Sequence, residues 1–204
     1  MITVEKLTTL DKNDISVIAK SLDWEDIKQL VGWLEEKDDV IRYHSLLLLQ
    51  SRSQIQDDVY PYWDVFAGKL ANLNSYQRSI GLMLIADNAR WDSRNKFDNI
   101  VDTFLTHCDD EKPVTVRQCI QSLVKIVPYK KHLASKIADK LLSIDITQRK
   151  ETQQKILLLD ILSVLVAIRK VETSEKVERY FVNALTGENL DRKAKSEFQK
   201  ILGA

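Results

Sequence analysis

The stretch DVIRYHSLLLLQ, residues 39 to 50, decides the fold of this chain. It opens on a short polar residue, places Arg42 near its start and then runs into a dense apolar block. Three later segments repeat that order: SYQRSIGLMLIAD at 75 to 87, VTVRQCIQSLVK at 114 to 125 and TQQKILLLD at 152 to 160. Their cations are Arg78, Arg117 and Lys155, so the intervals from Arg42 onward are 36, 39 and 38 residues. Such an interval holds two helices and two turns. A unit recurring at this period cannot bury its apolar face alone and must stack on its neighbours. The pattern predicts a helical repeat with a long shared surface, and it does not name a ligand.

Composition points the same way. The 204 residues include 5 Gly and 3 Pro, too few for the many tight turns of a sandwich or barrel. A hydrophobic content of 44% is enough for a continuous core, and no Gly/Ser or Pro-rich linker divides the chain. The expectation is one domain over residues 1–204. The longest apolar run, 156 to 168, is interrupted by Asp160 and Ser163 and is shorter than the roughly 20 residues of a membrane span. Residues 1 to 10 lack the apolar centre of a signal peptide, and two cysteines make no disulfide framework, so a reducing cytoplasm is expected.

Lys and Arg number 30, as do Asp and Glu, but the balance hides a gradient. Residues 1–60 carry 7 basic and 12 acidic side chains, residues 61–120 carry 7 and 8, and residues 121–204 carry 16 and 10. The basic excess of the carboxyl half would steer an acidic partner there. A solvated, mixed-charge helical surface is the plainer reading.

Apolar residues recur with the helical period throughout. Ile27, Leu30, Val31 and Leu34 form one stripe, opened by Asp23 as an N-cap. The spacing predicts four helix pairs, within about 23–55, 57–91, 94–128 and 131–170. Pro61 and Pro113 mark early-turn positions, and Pro128 marks a stop. The first helices of the second to fourth pairs are placed at about 57–73, 94–108 and 131–144. Residues 13–22 and 174–204 read as terminal caps.

DDVIRYHSLLLLQ (38–50) and KPVTVRQCIQSLVKIV (112–127) resemble the second helices of HEAT repeats, within the wider armadillo-like class. The resemblance implies an all-α, right-handed α-α superhelix of about four helix pairs with terminal cap helices. It also implies a ladder in which an acid and an Arg tie successive repeats, with Glu36 and Glu111 each six residues before Arg42 and Arg117. Asn72 and Arg149 hold the matching places before Arg78 and Lys155. Residues 62–92 and 109–131 are also similar to small HEAT-like proteins of Gram-positive bacteria, some labelled as SufBD-related. That label is not carried over, because a part in iron-sulfur assembly would leave a trace of cluster chemistry and the chain has two thiols.

Few constellations offer chemistry. Cys108 and Cys119, with His107 and His132, lack the close ligand pairs of a zinc module, and both cysteines continue apolar stripes. There are three histidines, no Gly-rich phosphate loop and no nucleophile in a strained turn, so no enzyme activity, metal or cofactor is expected. Asp160 interrupts KILLLDILSVLVAI; an inter-repeat hydrogen bond, an exposed helix edge and a functional acid are the readings open to it.

A recognition surface is the better candidate. In HEAT proteins the second helices line the concave side, and the resemblance brings Arg78, Gln118 and Gln121 toward one groove together with Gln77, Gln153 and Gln154. The loop after the second repeat adds Asn88, Arg90 and Trp91 as partner-contacting residues, an indole beside guanidinium groups being common at interface hot spots. Alternatively, Trp91 staples the following helix and the charges around it are loop solvation. The expected function is a non-enzymatic scaffold or adaptor for a protein partner, with no membrane and an open oligomeric state. The other reading is a HEAT-like DNA-binding protein or a relative of alkylpurine DNA glycosylases, whose groove residues Trp63, Asp64 and Arg78 resemble. The acidic balance of residues 61–120 opposes it, since phosphate neutralisation needs a basic face.

Overall fold

Short polar side chains set the start of the second helix in each early pair. Asp38 accepts hydrogen bonds from the main-chain N–H groups of Val40 at 2.8 Å and Ile41 at 3.2 Å, and Asn74 accepts one from Tyr76 at 2.9 Å. Pro113 opens the third, where its missing N–H is no loss. Asp23 caps its helix with a reciprocal bond from Asp26, as the apolar stripe behind it predicts. The computed structural model describes residues 1–203, and its regular elements are all helical, with no strand among the described residues.

Twelve α-helices follow in order: α1 (Val4–Thr8), α2 (Ile15–Ser21), α3 (Trp24–Trp33), α4 (Asp39–Ser53), α5 (Trp63–Lys69), α6 (Ser75–Asn88), α7 (Lys96–Thr106), α8 (Pro113–Ile126), α9 (Ala134–Leu142), α10 (Glu151–Arg169), α11 (Glu175–Thr186) and α12 (Arg192–Gly203). Short 3-10 turns lie between several of them. Three first helices start later than their apolar stripes suggest. The segment from 57 opens with a 3-10 turn at Tyr60–Tyr62, the segment from 131 with one at Lys131–Leu133, and Asn95, in the left-handed region at φ 52°, delays α7 to Lys96. α1 was not expected from the sequence; its Leu7 is fully buried.

The repeat pattern predicts one domain, whereas the packing divides the chain into two compact units, Met1–Thr103 and Phe104–Ala204, with the boundary inside α7. In the first unit α3 packs on α4 and α5 on α6, while α4 also meets α1, α2 and α6. Leu46, Leu48 and Leu49 of α4 supply the middle of that core. Gly81 lets α6 approach α5, because a Cβ there would lie 2.7 Å from the Phe66 carbonyl oxygen. In the second unit α10 packs on α8, α9 and α11.

A set of lysine–carboxylate pairs crosses from one first helix to the next: Lys69 to Glu35, Lys96 to Asp64, Lys140 to Asp109 and Lys176 to Asp139. Most are exposed and contribute modestly. Lys69 differs, for it is buried and also donates to the Gln77 side-chain oxygen, while Gln77 donates to the Leu34 carbonyl at 2.7 Å. Gln77 therefore ties α6 to the end of α3. No helix among the described residues is long and apolar enough to cross a membrane.

Candidate functional site

The cation of each second helix finds a partner, but not the same kind. Arg42 donates to the carbonyl oxygen of Glu36 at 2.7 Å and pairs with Asp39; Arg78 donates to the carbonyls of Asn72 at 2.9 Å and Leu73 at 3.0 Å. Both guanidinium groups fasten the turn that precedes their own helix. Arg117 instead reaches from α8 to α10, donating Nε to Asp160 Oδ2 at 2.6 Å and Nη2 to Oδ1 at 3.3 Å. The side chains of Glu36 and Glu111, implied as rungs of a ladder, do not take these bonds. Glu36 contributes its main-chain oxygen, and Glu111 pairs with Lys112 at 3.6 Å.

Gln121, one turn beyond Arg117, donates to Asp160 Oδ1 at 2.8 Å. The carboxylate therefore takes donors at i and i+4 of the facing helix, the spacing that puts both on one helical stripe. Its side chain is 11% exposed, so these bonds compensate most of its lost hydration. Hydrogen bonding to Asp160 raises the pKa of Arg117 above its ordinary value and holds the guanidinium in one orientation.

Beside this bridge lies a cleft of about 240 Å³ between the first half of α8 and the start of α10. Its walls are apolar, chiefly Val116, Leu157, Val114 and Ile156, and the last two are 62% and 42% exposed. Arg117, Gln118, Gln121, Arg149 and Gln153 bring polar groups to it, and no acidic residue lines it. The Arg149 guanidinium makes one long hydrogen bond, Nη1 to the Asp110 carbonyl at 3.4 Å. Gln154 is engaged elsewhere, donating to the Arg149 carbonyl at 2.9 Å.

The loop expected to contact a partner has a different role. Asn88 is fully buried, with Nδ2 donating to Ser53 Oγ at 3.0 Å and to the Leu84 carbonyl at 2.9 Å, so it cannot touch a partner. Trp91 Nε1 donates to the Ser53 carbonyl at 2.7 Å, and Arg90 donates to the Gln54 carbonyl at 2.7 Å while lying 5.0 Å above the Trp91 ring. These two satisfy carbonyls at the end of α4, which has no further turn to bond them. Trp91 thus staples the preceding pair rather than the following helix. Arg78 is half-buried on α6 of the first unit, while Gln118 and Gln121 line the cleft of the second.

Cys108 and Cys119 are free and buried, with their sulfurs 3.6 Å apart; Cys119 donates to the Phe104 carbonyl at 3.3 Å. Burial pushes the Cys119 thiol well above its ordinary pKa, which suppresses the thiolate a metal would need. Among the described residues no group of three or more His, Cys, Asp or Glu could hold a metal ion.

No family model and no curated protein matches this chain. Among solved structures it is similar to the crystal structure of an engineered protein, a Northeast Structural Genomics Consortium target. The TM-score is 0.51 at 17% identity, covering 100% of this chain and 96% of that one. At that identity the likeness concerns the arrangement of the helices alone.

Proposed function

We propose that this chain is a non-enzymatic scaffold or adaptor that holds a segment of a partner protein on its second-helix face. In this reading the helix pairs of each unit stack in the right-handed HEAT-like manner, and the second helices present the binding surface. The single observation that carries it is the α8–α10 cleft, where exposed Val114 and Ile156 lie among glutamines and arginines. Exposed aliphatic groups ringed by polar donors are the usual makings of a protein-binding patch. Arg117, Gln118 and Gln121 remain candidate partner-contacting residues, with Arg42, Arg117 and Asp160 as structural ties. Two buried free thiols support a reducing cytoplasm as its place of work.

The test is affinity capture from the native cell with the wild-type chain and with Ile156→Asp as bait. A charge in the apolar wall should abolish capture of the specific partner while helical content stays the same. A partner retained equally by both baits, or released by nuclease treatment, would move the binding surface or the class of ligand.

A further inference from the structure

Resting on that reading, we propose that the α8–α10 cleft recognises an acidic-aliphatic peptide segment, seating an Asp or Glu carboxylate at Arg149 and Arg117 and an aliphatic side chain on Val114 and Ile156. The size of the cleft comes first. About 240 Å³ is below the roughly 300–1,000 Å³ usual for cofactor and small-molecule pockets, and fits one or two side chains of an extended segment.

Charge decides the chemistry of that segment. Two guanidinium groups line the cleft and no carboxylate does. Asp160 answers Arg117, but from beside the cleft, and it takes Nε and Nη2. Arg149 uses one donor, in a long bond to a neutral carbonyl. With Arg117 answered by Asp160 and Arg149 bonded to a neutral carbonyl, an incoming carboxylate gains charge-assisted hydrogen bonds that the cleft's own residues do not make to Arg149. The surrounding sequence agrees in sign, since residues 121–204 carry 16 basic against 10 acidic side chains.

Asp160 and Gln121 act here as positioning residues. By fixing Arg117 before any ligand arrives they remove part of the ordering cost that a long, free side chain would add to binding. Arg149, lacking such an anchor, is the cation with donors to give. The aliphatic half of the motif follows from Val114 and Ile156, whose exposed surface is covered only when an apolar side chain lies against it.

The experiment is a random-peptide display selection against the full chain, followed by fluorescence anisotropy of the selected peptides. Enriched sequences are expected to place Asp or Glu beside Leu, Ile, Val or Phe. Exchanging that acid for its amide, or Arg149→Ala in the protein, should each weaken binding by about tenfold or more, and the two changes together should cost little beyond either alone. Affinity should fall as salt rises. Peptides without acids, or binding indifferent to Arg149→Ala but lost with Ile156→Asp, would overturn the acidic class and leave the protein-binding face in place. Absence of any enriched peptide, or displacement of a bound peptide by a duplex oligonucleotide, would overturn the face as well. The peptide-side exchange keeps the test decisive even if a protein variant folds poorly.

Discussion

Asp87 in the first unit and Asp160 in the second are the same device in two settings. Each sits on a second helix and accepts hydrogen bonds from two residues four apart on the preceding second helix. Asp87 takes Gln50 at 2.7 Å and Gln54 at 2.9 Å, is 2% exposed, and lies at the end of α6 where Trp91 and Arg90 close over α4. Asp160 takes Arg117 and Gln121 in the middle of α10, and a cleft opens beside it. Gln50 and Gln54 bring amides to a carboxylate that is itself buried. At Asp160 one of the donors is Arg117, whose side chain is 44% exposed. The difference separates a bridge at a buried carboxylate from one that borders an open cleft.

Removing the sealed carboxylate should break the molecule more than removing the open cation. Asp87→Ala removes a buried acceptor from the half-buried Gln50 amide and the exposed Gln54 amide, and the unfolding free energy should fall by about 2 kcal/mol in urea titrations. A loss as small as that of an ordinary surface substitution would show that the first-unit bridge is not sealed. Arg117→Ala leaves Asp160 with Gln121 and access to water, so a loss of about 1 kcal/mol is expected, partly restored by Arg117→Lys. A loss equal to that of Asp87→Ala would remove the distinction between the two bridges.

The smallest effect lies at the edge of the sealed region. The Tyr60 hydroxyl donates to Asp92 at 2.8 Å, and burial, with that bond, pushes its pKa from 10.0 up to about 12. The folded state thus holds this proton more tightly than the unfolded chain does. Its contribution is complete below pH 10 and is lost as pH rises from about 10 to about 12. Tyr60→Phe should flatten the alkaline part of the stability profile relative to wild type, measured by thermal melts from pH 8 to 12. Identical slopes would place Tyr60 in solvent.

The repeated cations were legible in the sequence, but their partners were not. A main-chain carbonyl six residues back and a carboxylate 43 residues ahead leave the same mark on the local pattern, and Arg42 and Arg117 chose differently. Gln118 and Gln121, expected at a groove, line the α8–α10 cleft, where they stand off the apolar stripe of α8. Arg149 was read as the residue at an acid's place, and its position at the cleft was missed. Val114 and Ile156 were taken into apolar segments; their exposure shows only when the neighbouring helix is in place. Asn88 erred the other way, since a polar residue after an apolar run reads as loop surface until its bonds to Ser53 and Leu84 are seen.

By itself the sequence determined the all-helical class and most of the helices, because these follow from local propensity, capping and an apolar face that repeats every few residues. Only the tertiary structure decided which face closes and which stays open. That choice turns on contacts between residues 31 to 43 positions apart, such as Lys140 with Asp109 and Arg117 with Asp160, where the geometry of two packed helices selects the partner. Tertiary packing also divided the chain into two units, a division that no Gly/Ser or Pro-rich linker marks in the sequence.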